Sequence, residues 1–162
     1  MAKETLIKIA EFGKTLAGES SLEKAMELIG EEAKTLFGVE RCSIFIVDKE
    51  AMMLWTKHSD GIGKIAIGMD SGIAGDTYRK AEPQLVNKPY DDKRFLPKID
   101  AKSGFTTRNM LTAPIFNSRR EVIGVFQLLN KKRGEFAAED LETLTFFANY
   151  VSGTIELALM CE

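Results

Sequence analysis

A chain of 162 residues, 44% hydrophobic and 28% charged, has the size and composition of one globular domain (1–162) that buries roughly 70% of its unfolded surface without staples. The formal net charge of −2, with no basic block interleaved with aromatics, speaks against nucleic acid as a partner. The two cysteines, Cys42 and Cys161, lie far apart in no metal-spaced cluster, and no apolar run is long enough for a signal peptide or a membrane span, so the reading is a cytoplasmic domain without membrane contact in this segment.

Residues 4–17 set Leu6, Ile9, Ala10, Leu16 and Ala17 at helical spacing, weakened by Gly13. After a Gly-Glu-Ser-Ser break, Ser20 or Ser21 can cap a second helix with Leu22, Ala25, Met26, Ile29, Ala33, Leu36 and Phe37 on one face. Gly38 stands where a helix end wants a left-handed residue. The β-branched and aromatic run 41–48 predicts a strand, 51–60 its return partner in a hairpin, and 64–68 a short third strand. Residues 70–75, Asp-Ser-Gly-Ile-Ala-Gly, open a helix that runs to about Lys80, and 84–86 is a short strand. The stretch 88–106, with Pro89 and Pro97, reads as mostly irregular with one or two helical turns. Two strands follow at 109–116 and 121–130, joined by Asn-Ser-Arg-Arg, and the tail 137–160 is one long helix with Leu141, Leu144, Ala148, Val151, Ile155 and Leu159 in a stripe. Consecutive strands joined by tight turns imply an antiparallel sheet with helices gathered on it, an α+β arrangement.

Catalytic patterns are few. His58 is the single histidine, so a nucleophile–histidine pair would have to use it, and its place near a strand end reads as a surface or pocket-edge residue. One histidine and two distant cysteines do not make a metal centre, and there is neither a Walker loop nor a dinucleotide glycine fingerprint. Cys42 on a buried-type strand reads as a small hydrophobe.

The residues fit binding better. A turn of short residues leading into a helix at Gly72 leaves backbone amides free to meet an anion, at Ile73 and Ala74; the same turn also serves close helix–sheet packing. Polar residues crowd 100–109, and Ser43 and Gln127 interrupt apolar strands, where a buried polar group must find a partner or a ligand. Gln127 offers both a donor and an acceptor.

Three segments then carry a resemblance: Gly-Ile-Ala-Gly at 72–75, the run 90–115, and 122–131 followed by Phe136 and Asp140. In this order they resemble a GAF domain, of the cyclic-nucleotide-binding type found in mammalian phosphodiesterases and cyanobacterial adenylyl cyclases. The resemblance implies a GAF-like, PAS-related, six-stranded antiparallel sheet with helices packed on it and one enclosed pocket. It implies a regulatory, non-enzymatic module with no cofactor, whose ligand is cAMP or cGMP, with an empty dimerisation module as the alternative. By carry-over, Ser43, Asp60, Asp100, Ser103, Thr107 and Gln127 would surround base and ribose, with Ile73 and Ala74 at the phosphate. Asn130, Lys131, Phe136 and Asp140 match the family's Asn-Lys–Phe–Asp motif, in which lysine and aspartate pair to hold the pocket; Leu141 replaces its final Glu. Ser59 stands where many relatives have a base-stacking aromatic, so stacking falls to a side chain such as Trp55 or Phe105. The terminal helices would carry the signal, through a homodimer, to a covalently linked output domain. Some members of this family reduce free methionine sulfoxide with clustered cysteines, a pattern this chain lacks.

Overall fold

The computed structural model describes residues 1–59 and 64–161, with the backbone alone at 57–59. Helix α1 (Lys3–Leu16) and helix α2 (Leu22–Phe37) lead the chain. Ser21 caps α2 by accepting from the Lys24 amide at 3.3 Å, and Gly38 closes it at φ 61°. Strand β1 (Val39–Asp48) then turns into β2 (Met53–Ser59). The turn is held by Asp48, whose carboxylate accepts from the Ala51 amide, and Met52 takes φ 53°. This turn makes β2 start two residues later than the hydropathy pattern predicts.

Strand β3 (Ala66–Gly68) is shorter than the predicted 64–68. Thr56 explains the loss: its hydroxyl accepts from the Ile65 amide at 2.6 Å, so a side chain replaces the next ladder bond. Helix α3 (Gly72–Lys80), strand β4 (Gln84–Val86), a 3₁₀ turn at Pro89–Asp91 and helix α4 (Pro97–Ser103) follow. Strands β5 (Met110–Phe116) and β6 (Val122–Lys131) precede the long α5 (Ala138–Met160). Among the described residues the six strands form one sheet, β3-β2-β1-β6-β5-β4, antiparallel at every pairing.

Period-two alternation gives the sheet two different faces. On one, Cys42, Ile44, Ile46, Leu111, Ala113, Ile115, Phe126 and Leu128 meet α1, α2 and α5 in a continuous apolar core. Phe147 of α5 sits at its centre, fully buried, with ring contacts to Phe12, Phe37 and Phe126. Gly13, which weakens α1 by propensity, has a packing reason: a Cβ there would collide with the ring of Tyr150 on α5. The other face carries α3 on β5 and β6. Its apolar side chains fall into two separate groups, Phe45–Leu54–Ala74–Val125 and Ile73–Val86–Met110–Leu129.

Candidate functional site

A polar row runs between those two groups. Strand register sets Ser43 opposite Gln127, Gln127 opposite Thr112, and Thr112 opposite Gln84. Part of the row anchors α3. The Thr112 and Thr77 hydroxyls bond at 2.6 Å, Thr77 donates to the Ile73 carbonyl, and Gln84 donates to Asp76 at 2.8 Å. Gln127 is different: half-buried, it makes no side-chain hydrogen bond to any described residue.

Above Gln127 stands the first turn of α3. Ser71 occupies the cap position without a side-chain hydrogen bond, and the first intrahelical bond runs from the Gly75 amide to the Ser71 carbonyl. The amides of Gly72, Ile73 and Ala74 therefore have no acceptor among the described residues, although Ile73 and Ala74 are only 2% exposed. Gly72 is required twice: its φ is 69°, and Leu96 stands 3.0 Å from where its Cβ would lie.

Between this turn, Gln127 and the 95–107 segment lies a cavity of about 40 Å³. Phe95, Leu96 and Ile99 close it, with Asp100 and Thr107 in its wall. Two braces hold this lid. Asp100, 6% exposed, accepts from the Thr107 amide and hydroxyl, each at 2.7 Å, and from the Tyr90 hydroxyl at 2.6 Å. The Tyr90 bond to a carboxylate raises the phenol above its usual range. The second brace is Arg94, which bonds Asp92, Asp76 and Gln84 and so ties the lid to α3 and β4. Asp76 is 5% exposed and also meets Arg79 and Lys80. The Gln84 hydrogen bond, then those of Arg94, Lys80 and Arg79, hold its carboxyl far below the usual carboxylate range against the opposing effect of burial. Arg94, bonded first to Asp92, is held charged, and Asp92 is correspondingly lowered.

A third network lies at the far end of β6. Asn130, fully buried and at φ 61°, accepts from the Arg108 amide at 2.6 Å and donates to the Thr106 carbonyl at 2.8 Å. Lys131 Nζ meets Asp140 Oδ2 at 2.6 Å, and the same oxygen accepts from the Ala137 amide, capping α5. Phe136 is buried, and Asn87 clasps its backbone with two hydrogen bonds of 3.0 Å. The four motif residues thus pin the strand ends that carry the lid, without lining the cavity.

Of the predicted ligand contacts, Ile73, Ala74, Asp100, Thr107 and Gln127 line this cavity. Ser43 is buried one strand over, beside the floor. Ser103 lies at the end of α4, where its hydroxyl accepts from the Phe105 amide, and it does not line the cavity. Asp60 lies outside the described residues, as does the side chain of His58. The expected stacking substitutes do not line the cavity either. Trp55 pairs with Ile46 and lines a groove of about 660 Å³ with Ile123 and Leu159, on the helical face. Phe105 lies under the Arg41 guanidinium at 3.8 Å. The aromatics at the cavity are Phe45 of β1 and Phe95, and sequence patterning misses Phe95 because an irregular segment has no period to betray a buried face. Asn87 and Arg94 are missed because Phe136 and Asp76, their partners, lie 49 and 18 residues away; Asp76 has Arg79 and Lys80 at helical spacing, but nothing local signals its bonds to Gln84 and Arg94. Cys42 belongs to the helical-face core and Cys161 ends α5, so neither lines the cavity. Among the described residues no cluster could hold a metal ion, and no helix is long and apolar enough to cross a membrane.

A family profile described as "GAF domain" matches residues 21–155. The chain is 32% identical over 132 residues to the probable 3′,5′-cyclic phosphodiesterase pde-5 of Caenorhabditis elegans, covering 73% of this chain and 18% of that protein. The chain spans less than a fifth of the length of the curated relatives it matches. Among solved structures it resembles the GAF domain of a phosphoenolpyruvate-protein phosphotransferase from Coxiella burnetii, with TM-score 0.86, 18% identity and coverage of 97% and 95% of the two chains. It also resembles free methionine-R-sulfoxide reductase from Neisseria meningitidis, with TM-score 0.82, 15% identity and coverage of 100% and 96%. At these identities the likeness is one of fold.

Proposed function

This chain belongs to the GAF domain family, and we propose that it is a regulatory sensing module whose ligand is a cyclic nucleotide, cAMP or cGMP. The observation that carries this reading is the meeting of two features at one cavity: the first turn of α3, without a side-chain cap, and the half-buried Gln127 carboxamide, both without a hydrogen-bond partner among the described residues. Helix-end amides and the helix dipole suit a cyclic phosphate, and a carboxamide suits a purine edge. Relationship to a probable 3′,5′-cyclic phosphodiesterase supports the ligand class. Ser43 and Asp60 complete the proposed base side, and Asp100 and Thr107 form the wall.

The cavity of about 40 Å³ is far below the roughly 300–1,000 Å³ of small-molecule pockets. Binding therefore has to displace the 95–107 lid, so ligand occupancy and lid position are one equilibrium. Isothermal titration of the chain with cAMP and with cGMP tests the reading. Saturable heat and altered hydrogen exchange over 89–107 are expected; no heat and no melting shift at millimolar nucleotide would overturn it.

The signal's exit belongs to the same proposal. Phe146, Tyr150, Gly153, Leu157 and Met160 recur at steps of four and three along α5, and Leu157 and Met160 are 65% and 76% exposed. Phe146 and Tyr150 stack at 6.2 Å, and Leu6 and Ile7 of α1 are exposed as well. This stripe has the spacing of a helix–helix seam and fits a cytoplasmic homodimer that passes the lid's state to a linked output domain. The stripe also favours the second reading, a dimerisation module that works without ligand. Sedimentation of a Leu157→Glu variant as monomer, against a wild-type dimer, is expected under both; a wild-type monomer at high concentration would remove the dimer from either.

A further inference from the structure

Outside the lid lies a second cleft, of about 300 Å³, between β3 and α4. Its walls are apolar: Ile65, Ala66 and Ile67 on one side, Leu96 and Ile99 on the other. Three lysines rim it, Lys64, Lys98 and Lys102, all exposed. None of the three makes a salt bridge among the described residues, which leaves their charges free to meet a ligand; Lys3, Lys8, Lys14, Lys88, Lys93 and Lys132 are likewise unpaired there, and what distinguishes the three is the apolar cleft they rim.

Among the described residues of β3 and α4, the rim is also left without an acid facing it. Lys98 and Lys102 are four residues apart on α4 and so share one helix edge, an arrangement in which like charges repel. The acid on α4, Asp100, is buried and turned to Thr107 and Tyr90 on the cavity side. Strand β3 contributes no acid at all. A converging set of cations over an apolar floor is complementary to one kind of ligand, an anionic group on a flat apolar body.

We propose that the cleft between β3 and α4 binds a small amphiphilic anion, with Lys64, Lys98 and Lys102 holding its charged group and Ile65, Ile67 and Leu96 its apolar part. The site lies outside the inner cavity and does not depend on a nucleotide occupying it. Ile67, Leu96 and Ile99 belong to both spaces, so this ligand leans on the outer surface of the lid.

The test uses the chain itself and two dyes of matched shape, the anion 1-anilinonaphthalene-8-sulfonate and the uncharged N-phenyl-1-naphthylamine. The sulfonate is expected to shift the amide resonances of Ile65, Ile67, Lys98, Ile99 and Lys102. A Lys98→Gln/Lys102→Gln variant should bind it at least tenfold more weakly, with added salt weakening the wild type in the same direction. Lys98→Arg/Lys102→Arg should restore binding, and the uncharged dye should change by less than twofold throughout. The proposal is overturned if the sulfonate does not bind, if its shifts map to the Trp55 groove or the α5 stripe, or if the glutamine variant affects both dyes equally. Failure of cAMP and cGMP to bind the wild type would count against the nucleotide reading alone.

Discussion

The two faces of the sheet are built from the same strands and follow opposite rules. Toward α1, α2 and α5 the buried apolar side chains form one continuous cluster, with Thr143 of α5 the polar residue that this helix buries. Toward α3 and α4 the apolar residues part around Ser43, Gln127, Thr112 and Gln84, and hydrogen bonds and ion pairs hold the layer in place. The helical face supplies cohesion that does not depend on direction. The cavity face depends on geometry, and directed bonds can be exchanged for a ligand's. A fold whose cohesion sits on one face can tolerate change on the other, and the same architecture is found in a phosphotransferase's GAF domain and in a reductase.

The largest effect should therefore come from the helical face. Phe147→Ala removes a fully buried ring that touches three others. A loss of about 3–5 kcal/mol is expected in urea unfolding. A loss below about 1 kcal/mol would mean that the helical face is not the principal core, and the contrast drawn between the faces would fail.

The next effect tests whether the cavity face is held by charge. Asp76→Asn keeps the Gln84 contact while removing the charge that Arg94, Arg79 and Lys80 share. Those partners are half-exposed, so the expected loss is about 2 kcal/mol, below that of a fully buried pair. Because the folded carboxyl is lowered from 3.8, its contribution is complete above the unfolded value and fades as pH falls below it. The stability gap between wild type and Asp76→Asn should narrow on acidification below about pH 4. A gap constant with pH would assign the loss to packing instead.

The same contrast explains what could be read from the sequence. The helical face has a period, 3.6 in the helices and 2 in the strands, and Leu22 to Phe37 or Leu144 to Ile155 announce their burial by spacing alone. The motif residues Asn130, Lys131, Phe136 and Asp140 were legible only through a family pattern; the structure pairs Lys131 with Asp140, while Asn130 bonds to Thr106 and Arg108 and Phe136 to Asn87. The lid was not legible. Phe95 sits in an irregular segment and Arg94 reaches Asp76 across 18 residues, contacts that no local rule links; only Arg79 and Lys80, three and four residues beyond Asp76 on α3, follow helical spacing. Trp55 shows the reverse error: an aromatic invites a binding role, but strand alternation points it to the other face.

A smaller effect is expected at the hinge between the faces. Asp140→Ala removes both the Lys131 partner and the cap on the Ala137 amide, for about 1–2 kcal/mol. Lys131→Met removes the ion pair alone and should cost less than half as much. If the two substitutions cost the same, the cap contributes nothing, and the pair by itself joins α5 to the end of β6.

The smallest change in stability should fall at Gln127, and there it separates the two faces most sharply. On the helical face, replacing a side chain by one of another chemistry breaks packing, whatever the ligand. Gln127 bonds to no described side chain or backbone group and borders the cavity. Gln127→Leu replaces a half-buried carboxamide that no described residue bonds and keeps about the same volume, so stability should stay within about 0.5 kcal/mol of wild type. Affinity for cAMP or cGMP should nevertheless fall tenfold or more, because a purine edge would then face a hydrocarbon. Chemical denaturation and calorimetric titration on the same sample read both quantities. A variant that loses stability but keeps affinity would make Gln127 part of the core. One that keeps stability and loses affinity shows a residue retained for a ligand, since folding alone would have placed a leucine there.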